Sequence, residues 1–343
     1  MDDISATLSA DQAKKLSNKL VVQLESKIFG QQVLIEEAIA TLLVSGHILL
    51  TGAPGLAKTT LVREIASSIG LEFGRIQFTP DLMPSDIIGS DILNIDDETG
   101  KRKFEFQKGP VFTNLLLADE INRASPRTQA ALLEAMQEKT VTNSGVVYNL
   151  SETFMVFATQ NPLDSEGTFP LPEAQLDRFL MSSIVTYPGR DDELKILSSH
   201  SNNNLVGSKK NKSQSVIEYV DLVNLTNYCK QIPFTDELLS AANDLVRSTR
   251  PEDETCPATL KHAIDYGASP RGGLALVSAA KAFAALDGSS EVRWRHVKRV
   301  AIPCLRHRVK LGFGAHRDGV GIDSVLEELI ENVEKKKVSL GQV

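Results

Sequence analysis

The segment HILLTGAPGLAKTTL, residues 47–61, restricts the fold of this chain more than any other stretch. Three consecutive apolar residues, 48–50, favour a strand that is buried on both faces. A loop with glycine and proline follows, and Lys58 and Thr59 then open a segment with a helical pattern. A strand, a glycine-rich loop, a Lys-Thr pair and a helix predict a phosphate-binding loop, in which backbone N–H groups surround phosphate oxygens. The alternative is a Gly/Pro turn before an ordinary amphipathic helix.

The predicted loop gives its residues separate tasks. Lys58 would neutralise the β- and γ-phosphate oxygens, and the Thr59 hydroxyl would coordinate Mg²⁺. Ala57 departs from the general pattern, which has glycine before the lysine, and an alanine is tolerated there only if its φ is negative. The predicted nucleotide-binding residues are Gly52, Ala53, Pro54, Gly55, Leu56, Ala57, Lys58, Thr59 and Thr60.

A second stretch, LLLADE at residues 115–120, ends an apolar run with two carboxylates. This pattern predicts a buried strand that delivers Asp119 and Glu120 to the carboxyl edge of a sheet. Asp119 would hold Mg²⁺ directly or through water, and Glu120 would polarise an attacking water as a general base. The alternative is a strand that ends in a solvated acidic turn, and the phosphate-binding loop upstream favours the first interpretation.

Three further polar residues are candidates for the same site. Asn161 follows the predicted strand at residues 154–158, where it would touch the γ-phosphate or the water, or else cap a turn. Arg178 is either a surface ion-pair residue or stabilises transition-state charge on a neighbouring subunit's nucleotide. Arg271 lies at a predicted helix start, Ser-Pro-Arg, and is either a surface residue or reaches the γ-phosphate.

Two hairpins are predicted outside the sheet. The first covers residues 87–112, where β-prone arms flank the acidic turn Asp-Asp-Glu-Thr-Gly, and it is either a plain surface hairpin or a functional insertion. The second covers residues 141–150, where Asn-Ser-Gly separates two short arms.

The length of 343 residues favours two domains, and the composition shifts after Pro188. We therefore predict an N-terminal α/β domain over residues 1–188 and an all-helical domain over residues 189–343. Residues 202–215 have the composition of a flexible loop. The pattern from residue 220 to 329 is helical throughout, with breaks expected at Pro233, Pro251, Pro257, Pro270 and Pro303. His307, within a basic Arg-His-Arg cluster, is interpreted as structural.

Composition restricts the compartment and the partners. The net charge of −7 gives no general attraction to nucleic acid. Three scattered cysteines without C-x-x-C spacing argue against a disulfide framework or a zinc site. No apolar run reaches the ~18 residues that cross a membrane, and the acidic N-terminus does not have the pattern of a secretory signal. We therefore expect a cytoplasmic protein without a membrane span.

Several motifs in a fixed order resemble the MoxR family of AAA+ ATPases: GAPGLAKTT, LLLADEINRASPRTQAALLEAMQE, FATQNPLDSEGTFPLPEAQLDRF and SPRGG. The resemblance spans about residues 29–308, and the alanine before the lysine is similar to this family's own version of the loop. It implies an α/β fold: a P-loop NTPase αβα core with a five-stranded parallel sheet in the order 5-1-4-3-2, followed by a helical lid.

The resemblance also implies roles. Gly52, Gly55, Lys58 and Thr59 look like the Walker A motif, and Asp119 and Glu120 look like Walker B. By the same resemblance Asn161 is similar to sensor 1, Arg178 to the arginine finger and Arg271 to sensor 2, while Arg123 is a second candidate to act across an interface. Residues 87–112 look like the helix-2 insert and residues 141–150 like the pre-sensor hairpin, both facing the pore of a ring.

The resemblance implies a homo-oligomeric, hexameric ring that works with von Willebrand A domain proteins. The resulting hypothesis is a ring that binds ATP or ADP with Mg²⁺ and remodels a protein client. Two other hypotheses remain open from the sequence. One is a nucleotide-gated binding module with little turnover, and the other is a nucleic-acid motor, which the acidic charge disfavours.

Overall fold

The structure is a computed structural model that describes residues 8–95, 102–162, 167–203, 215–317 and 319–339. Its helices are α1 Ala10–Glu25, α2 Gln32–Leu43, α3 Lys58–Ile69, α4 Pro84–Ile88, α5 Pro126–Glu138, α6 Glu173–Leu176, α7 Arg190–Asn203, α8 Tyr219–Gln231, α9 Asp236–Ser248, α10 Pro270–Asp287, α11 Trp294–Leu305, α12 Phe313–Arg317 and α13 Ile322–Ser339. Its strands are β1 Ile48–Thr51, β2 Phe73–Gln77, β3 Gly89–Ile95, β4 Arg102–Lys108, β5 Leu115–Asp119, β6 Thr140–Asn143, β7 Val146–Asn149, β8 Met155–Gln160, β9 Met181–Ile184, β10 Ile264–Tyr266 and β11 Lys310–Leu311.

The central sheet has five parallel strands in the order β2-β5-β8-β1-β9. When these five strands are numbered in chain order and the sheet is read from β9 to β2, the order is 5-1-4-3-2. The predicted strand order is therefore confirmed. The register places Thr51 beside Gln160 and Gln77 beside Asp119. The carboxyl ends of β1, β2, β5 and β8 therefore share one edge, where an open parallel sheet usually binds its ligand.

Alternation along the buried strands fills two cores. Leu115 and Leu117 point to the core shared with α2 and α3, whereas Leu116 and Ala118 point to the core beneath α5. All four side chains are fully buried. This two-sided burial explains why β5 is a continuous apolar run, because neither face of the strand meets water.

Both predicted hairpins are present. The β3–β4 pair runs from Gly89 opposite Lys108 to Ile95 opposite Arg102, and the acidic turn at residues 96–101 lies outside the described residues. In the β6–β7 hairpin, Ser144 and Gly145 both have positive φ, as a two-residue type I′ turn requires. The two hairpins are therefore formed as the sequence predicts.

The hairpins contact each other. Asp91 of β3 accepts hydrogen bonds from Asn143 Nδ2 at 2.8 Å and Ser144 Oγ at 2.6 Å. Phe106 of β4 stacks on Tyr148 of β7 with a centroid distance of 4.4 Å. A polar and an aromatic contact thus hold the two hairpins side by side.

Among the described residues of the C-terminal part, the regular structure is helical apart from one short ladder. Ile264 pairs with Leu311 in an antiparallel contact between β10 and β11, where the sequence pattern indicated helices throughout. Pro303 lies inside α11 and not at a break. Pro270 opens α10 as predicted, with Ser269 as its N-cap. Of the segment predicted as a flexible loop, residues 204–214 lie outside the described residues, and α7 extends through Asn203.

The first helix joins the two parts of the chain. α1 packs against α2 and α3 and also against α10. Leu20 and Leu24 of α1 share one buried cluster with Leu276 and Phe283 of α10. The predicted domain boundary at residue 188 falls between β9 and α7 and stays a prediction.

The cysteines and the apolar helices bear on two further expectations from the sequence. The three cysteines are buried and free, which agrees with the prediction of no disulfide framework. Across the described part of the chain, no helix is both long enough and apolar enough to cross a bilayer.

Candidate active site

The glycine-rich loop joins the carboxyl end of β1 to the start of α3. A Cβ at Gly52 would lie 2.5 Å from the Val185 carbonyl oxygen, so only glycine fits this close approach. Gly55 has a φ of +83°, which glycine adopts without steric conflict. Two of the predicted loop residues are therefore glycines for different physical reasons.

Ala57 is the strained point of the loop. Its φ is +57°, in the left-handed region, immediately before the first residue of α3. The sequence analysis made tolerance of alanine conditional on a negative φ, and the structure does not meet that condition. In the left-handed region alanine is less stable than glycine by about 1 kcal/mol or more, because its Cβ is crowded by the backbone. This difference explains why glycine is the general residue at this position.

The N-terminus of α3 points unpaired donors into the loop. The first helical hydrogen bond runs from the Leu61 N–H to the Ala57 carbonyl, so the preceding N–H groups of the first turn have no carbonyl within the helix. Lys58 Nζ donates to the carbonyls of Gly52 at 2.6 Å and Ala53 at 3.2 Å. Burial lowers the pKa of Lys58, while the charges of Asp119 and Glu120 oppose that shift.

Asp119 ends β5 at the same edge of the sheet. Its Oδ1 accepts a hydrogen bond from Thr159 Oγ1 at 2.7 Å, and its Oδ2 pairs with Arg75 Nη2 at 2.8 Å. Thr159 is buried on the neighbouring strand, whereas the Arg75 side chain is 46% exposed. One oxygen of the carboxylate is thus fixed within the protein, and the other is held by a residue that solvent reaches.

Glu120 follows with a left-handed backbone of φ +57° and starts a 3₁₀ turn over Ile121–Arg123. Its N–H donates to Thr159 Oγ1 at 2.8 Å, so the buried threonine orients both acidic residues. Its Oε2 accepts from Gln77 Nε2 and from Arg123 Nη1, each at 3.0 Å. A non-glycine residue with positive φ is uncommon, and such conformations occur at turns, helix ends and active sites.

One cavity of about 400 Å³ collects most of the predicted residues. It is lined by Pro54, Gly55, Leu56, Ala57, Lys58, Thr59, Thr60, Arg75, Gln77, Asp119, Glu120 and Asn161. Gly52 and Ala53 do not line it, but their carbonyls accept hydrogen bonds from Lys58. A second cavity of about 620 Å³ adjoins the loop and is more apolar, with Ile28, Phe29 and Leu197 in its lining.

Arg178 and Arg271 lie elsewhere. They line a separate cavity of about 330 Å³ together with Asp177 and Arg308, and neither lines the cavity of the glycine-rich loop. Arg178 Nη1 donates to the Leu133 carbonyl. The structure therefore brings the two arginines to one cavity, which is not the cavity of the glycine-rich loop. Arg123, by contrast, contacts Glu120 of its own chain.

Three residues of the site were given no role from the sequence, although Thr159 was expected among the polar groups at this sheet edge: Arg75, Gln77 and Thr159. Arg75 and Gln77 alternate on β2, the edge strand, and such alternation is also the ordinary pattern of a solvated strand face. The register of β2 against β5, with Gln77 opposite Asp119, is what brings them to the carboxylates. A polar threonine ending the apolar run of β8 was the one local signal for Thr159.

Comparison with known proteins gives the class of this fold and site. Residues 47–181 match the ATPase family associated with various cellular activities (AAA), and residues 258–329 match the AAA lid domain. A parallel sheet with a glycine-rich loop after β1, followed by a helical lid, is the architecture of a AAA+ P-loop protein, and this family binds nucleotides.

Relatives narrow the class. Chaperone MoxR1 of Mycobacterium tuberculosis is 36% identical over 321 residues, which cover 94% of this chain and 82% of that protein. The YeaC protein of Bacillus subtilis is 38% identical over 318 residues, which cover 93% of this chain and 94% of that protein. A solved structure from Cytophaga hutchinsonii aligns with a TM-score of 0.84 at 38% identity, covering 94% of this chain and 96% of that chain. The chain belongs to the MoxR family of AAA+ ATPases.

Proposed function

We propose that the protein hydrolyses ATP as a subunit of a homo-oligomeric ring and uses the reaction to remodel a protein client. The observation that carries the proposal is the convergence of Lys58, Thr59, Asp119 and Glu120 on one cavity of about 400 Å³. A lysine, a hydroxyl and two carboxylates beside a helix N-terminus are the groups that phosphoanhydride hydrolysis needs.

The residues present fit a magnesium-bound nucleotide. A Cβ at Gly52 would collide with the Val185 carbonyl, so the loop backbone passes close to the residue that follows β9. Lys58 and the N–H groups of α3 would bind the β- and γ-phosphate oxygens, and Thr59 and Asp119 would hold Mg²⁺. When bound, Mg²⁺ neutralises charge that develops on the phosphate oxygens. The adjoining apolar cavity beside Ile28 and Phe29 would take the base of ATP or ADP.

Glu120 would act as the general base and accept a proton from the attacking water. In the structure its Oε2 accepts hydrogen bonds from Gln77 and Arg123. Asn161, buried beside the same cavity, would orient the water or the γ-phosphate.

The position of the two arginines supports action across an interface. Arg178 and Arg271 line a cavity apart from the loop of their own chain, and both would supply charge to the nucleotide of a neighbouring subunit. This changes the expectation for Arg271, which the sequence analysis assigned to a γ-phosphate without specifying the chain. If a neighbouring subunit completes each site, every subunit needs a neighbour, and a closed ring provides one. We adopt a hexamer, the ring size that the family resemblance implies.

We further propose that the hydrolysis serves the remodelling of a protein client. It is supported by the name of the mycobacterial relative, a chaperone, and by the exposed apolar residues of the paired hairpins, such as Phe104 and Val147. Exposed apolar side chains on a protruding element are typical of a surface that contacts another protein. A von Willebrand A domain protein stays a possible partner on the family resemblance alone.

The proposal is tested with Glu120→Gln. This variant should bind a fluorescent ATP analogue with wild-type affinity and lose most of its turnover, because the amide cannot take up the proton. Glu134→Gln, on the exposed face of α5, is the matched control and should hydrolyse ATP at the wild-type rate. Wild-type turnover in Glu120→Gln would refute the base assignment, and absence of nucleotide binding by the wild-type protein would refute the site.

The second candidate function is a nucleotide-gated binding module with little turnover. It is favoured by one observation: the Glu120 carboxylate is already engaged by Gln77 and Arg123. Slow hydrolysis in the assembled ring that no added protein stimulates would support this alternative over the first.

A further inference from the structure

The lid is attached to the sheet through three consecutive residues, Arg306, His307 and Arg308, which follow α11. Arg306 Nη1 donates to the Ser182 carbonyl at 3.1 Å, and His307 Nε2 lies 3.0 Å from the Phe179 carbonyl. The same Nε2 lies 2.8 Å from Arg308 Nη1, and burial lowers the pKa of His307 well below its usual value, so the ring is neutral. This segment therefore binds the backbone between α6 and β9.

Arg308 is the most deeply placed of the three. Its side chain is 4% exposed, and its Nε pairs with Asp177 Oδ1 at 2.7 Å. Its Nη2 donates to the carbonyls of Asp177 at 3.0 Å and Phe179 at 2.6 Å. Gly272 in the first turn of α10 leaves space for it, since a Cβ there would be 3.3 Å from Arg308 Cδ. A buried arginine with this many partners fixes its surroundings rigidly.

Asp177 joins three segments of the chain. Its Oδ1 binds Arg308, and its Oδ2 accepts from Ser269 Oγ at 2.8 Å. Ser269 is the N-cap of α10, and the same hydroxyl accepts from the Arg271 N–H at 3.1 Å. We name Asp177, Ser269 and Arg308 the junction clamp.

Two of the clamp residues are close in sequence to the two arginines of the proposed interface. Arg178 is the next residue after Asp177, and Arg271 is two residues after Ser269. Both arginines line the cavity of about 330 Å³ that Asp177 and Arg308 also line. The backbones that carry the two arginines are thus tied to the same carboxylate, although one belongs to the core and the other to the lid.

We infer that Asp177, Ser269 and Arg308 are positioning residues that hold Arg178 and Arg271 in one fixed arrangement, so that both reach the nucleotide of the neighbouring subunit together. The inference rests on the proposed hydrolysis at a shared interface. A displacement of about 1 Å in such groups lowers turnover by up to about 100-fold, which is why a rigid tie between core and lid matters for catalysis.

A purely structural tie is the competing explanation, and an exposed contact offers the matched control. Glu173 and Lys310 also bridge the core and the lid, with an ion pair at 3.0 Å in which both side chains are 56% exposed. The Glu173 backbone carbonyl also accepts a hydrogen bond from the Asp177 N–H at 3.0 Å, but a substitution of the Glu173 side chain leaves that backbone bond in place. Glu173→Gln should leave turnover and melting temperature near the wild-type values, because exposed pairs contribute little.

The first experiment measures Asp177→Asn and Ser269→Ala beside Glu173→Gln. Asp177→Asn should lower turnover at saturating ATP by about tenfold or more and leave the Kd of a fluorescent ADP analogue within about twofold, since the loop cavity is untouched. Ser269→Ala, which keeps the buried ion pair and so is expected to fold, should give a smaller loss of the same kind. Wild-type turnover in Ser269→Ala and Asp177→Asn would overturn the inference.

The second experiment mixes subunits and separates this inference from the proposed function. In rings mixed from equal amounts of Glu120→Gln and Asp177→Asn subunits, each variant supplies what the other lacks. About a quarter of the interfaces should then combine Glu120 of one subunit with Asp177 of its neighbour, and these interfaces should hydrolyse ATP. The control mixture pairs Glu120→Gln with Arg178→Ala. Recovery in the control but not with Asp177→Asn overturns the clamp, whereas no recovery in either mixture overturns the placement of the arginines across an interface.

Discussion

His47 makes the stability of the protein depend on pH. Its Nδ1 accepts a hydrogen bond from the Val156 N–H at 3.0 Å, and its Nε2 lies 3.1 Å from the Met136 carbonyl, to which it donates. The Val156 donor requires an unprotonated Nδ1, so the native ring is neutral. Burial lowers the pKa of His47 to about 4.

The sign and the size of the effect follow from this pKa. In the unfolded chain a histidine has a pKa of about 6.5, so the unfolded state binds a proton that the folded state does not bind until about pH 4. The contribution to stability is complete above pH 6.5 and is lost as the pH falls towards 4. The loss is about 2 kcal/mol at pH 5 and reaches a limit of about 3 kcal/mol.

The assay compares the free energy of unfolding in urea at pH 7 and pH 5 for the wild type, His47→Gln and Phe154→Leu. His47→Gln should be less stable at pH 7 but should lose about 2 kcal/mol less than the wild type between the two pH values. Phe154, whose ring packs edge-on against His47 at 6.0 Å, is the control, because its substitution weakens packing without removing the titrating group. The same pH-dependent loss in His47→Gln and in the wild type would refute the reasoning.

Two further predictions concern the site. Ala57→Gly should not lower the melting temperature, because glycine adopts a left-handed φ of +57° without strain. Ala57→Val should lower the free energy of unfolding by at least about 1 kcal/mol. A glycine variant less stable than the wild type would contradict the strain argument. Thr159→Val removes the donor to Asp119 and the acceptor for the Glu120 N–H, so stability should fall by about 1–3 kcal/mol and ATP turnover should fall with it; unchanged turnover would show that Thr159 does not orient the carboxylates.

Much of the sheet could be predicted from the sequence because its strands are buried on both faces. The run from Leu115 to Ala118 has no polar residue, and the acids begin where the strand leaves the core. Parallel strands then bring such ends to one edge without further information. The glycine-rich loop and the acidic pair could be placed together for the same reason.

The parts that could not be predicted depend on tertiary contacts. Gln77 reaches Glu120 only because of the register between β2 and β5. Strands as short as β10 and β11 have no detectable periodicity, so the helical pattern around them concealed the ladder. The start of α10 was predicted correctly. The cavity that Arg271 lines could not be predicted, because it depends on how the lid packs on the core, and contacts such as the ion pair of Arg308 with Asp177 determine that packing.

The contact between the two hairpins has a mechanical consequence. Asp91 binds the turn of the second hairpin, and Phe106 stacks on Tyr148. A movement of one hairpin would break these contacts unless the other hairpin moved with it. The second hairpin continues directly from α5, which begins six residues after Glu120. The single helix α5 thus connects the paired arm, which carries the exposed Phe104, to the acidic residues of the site.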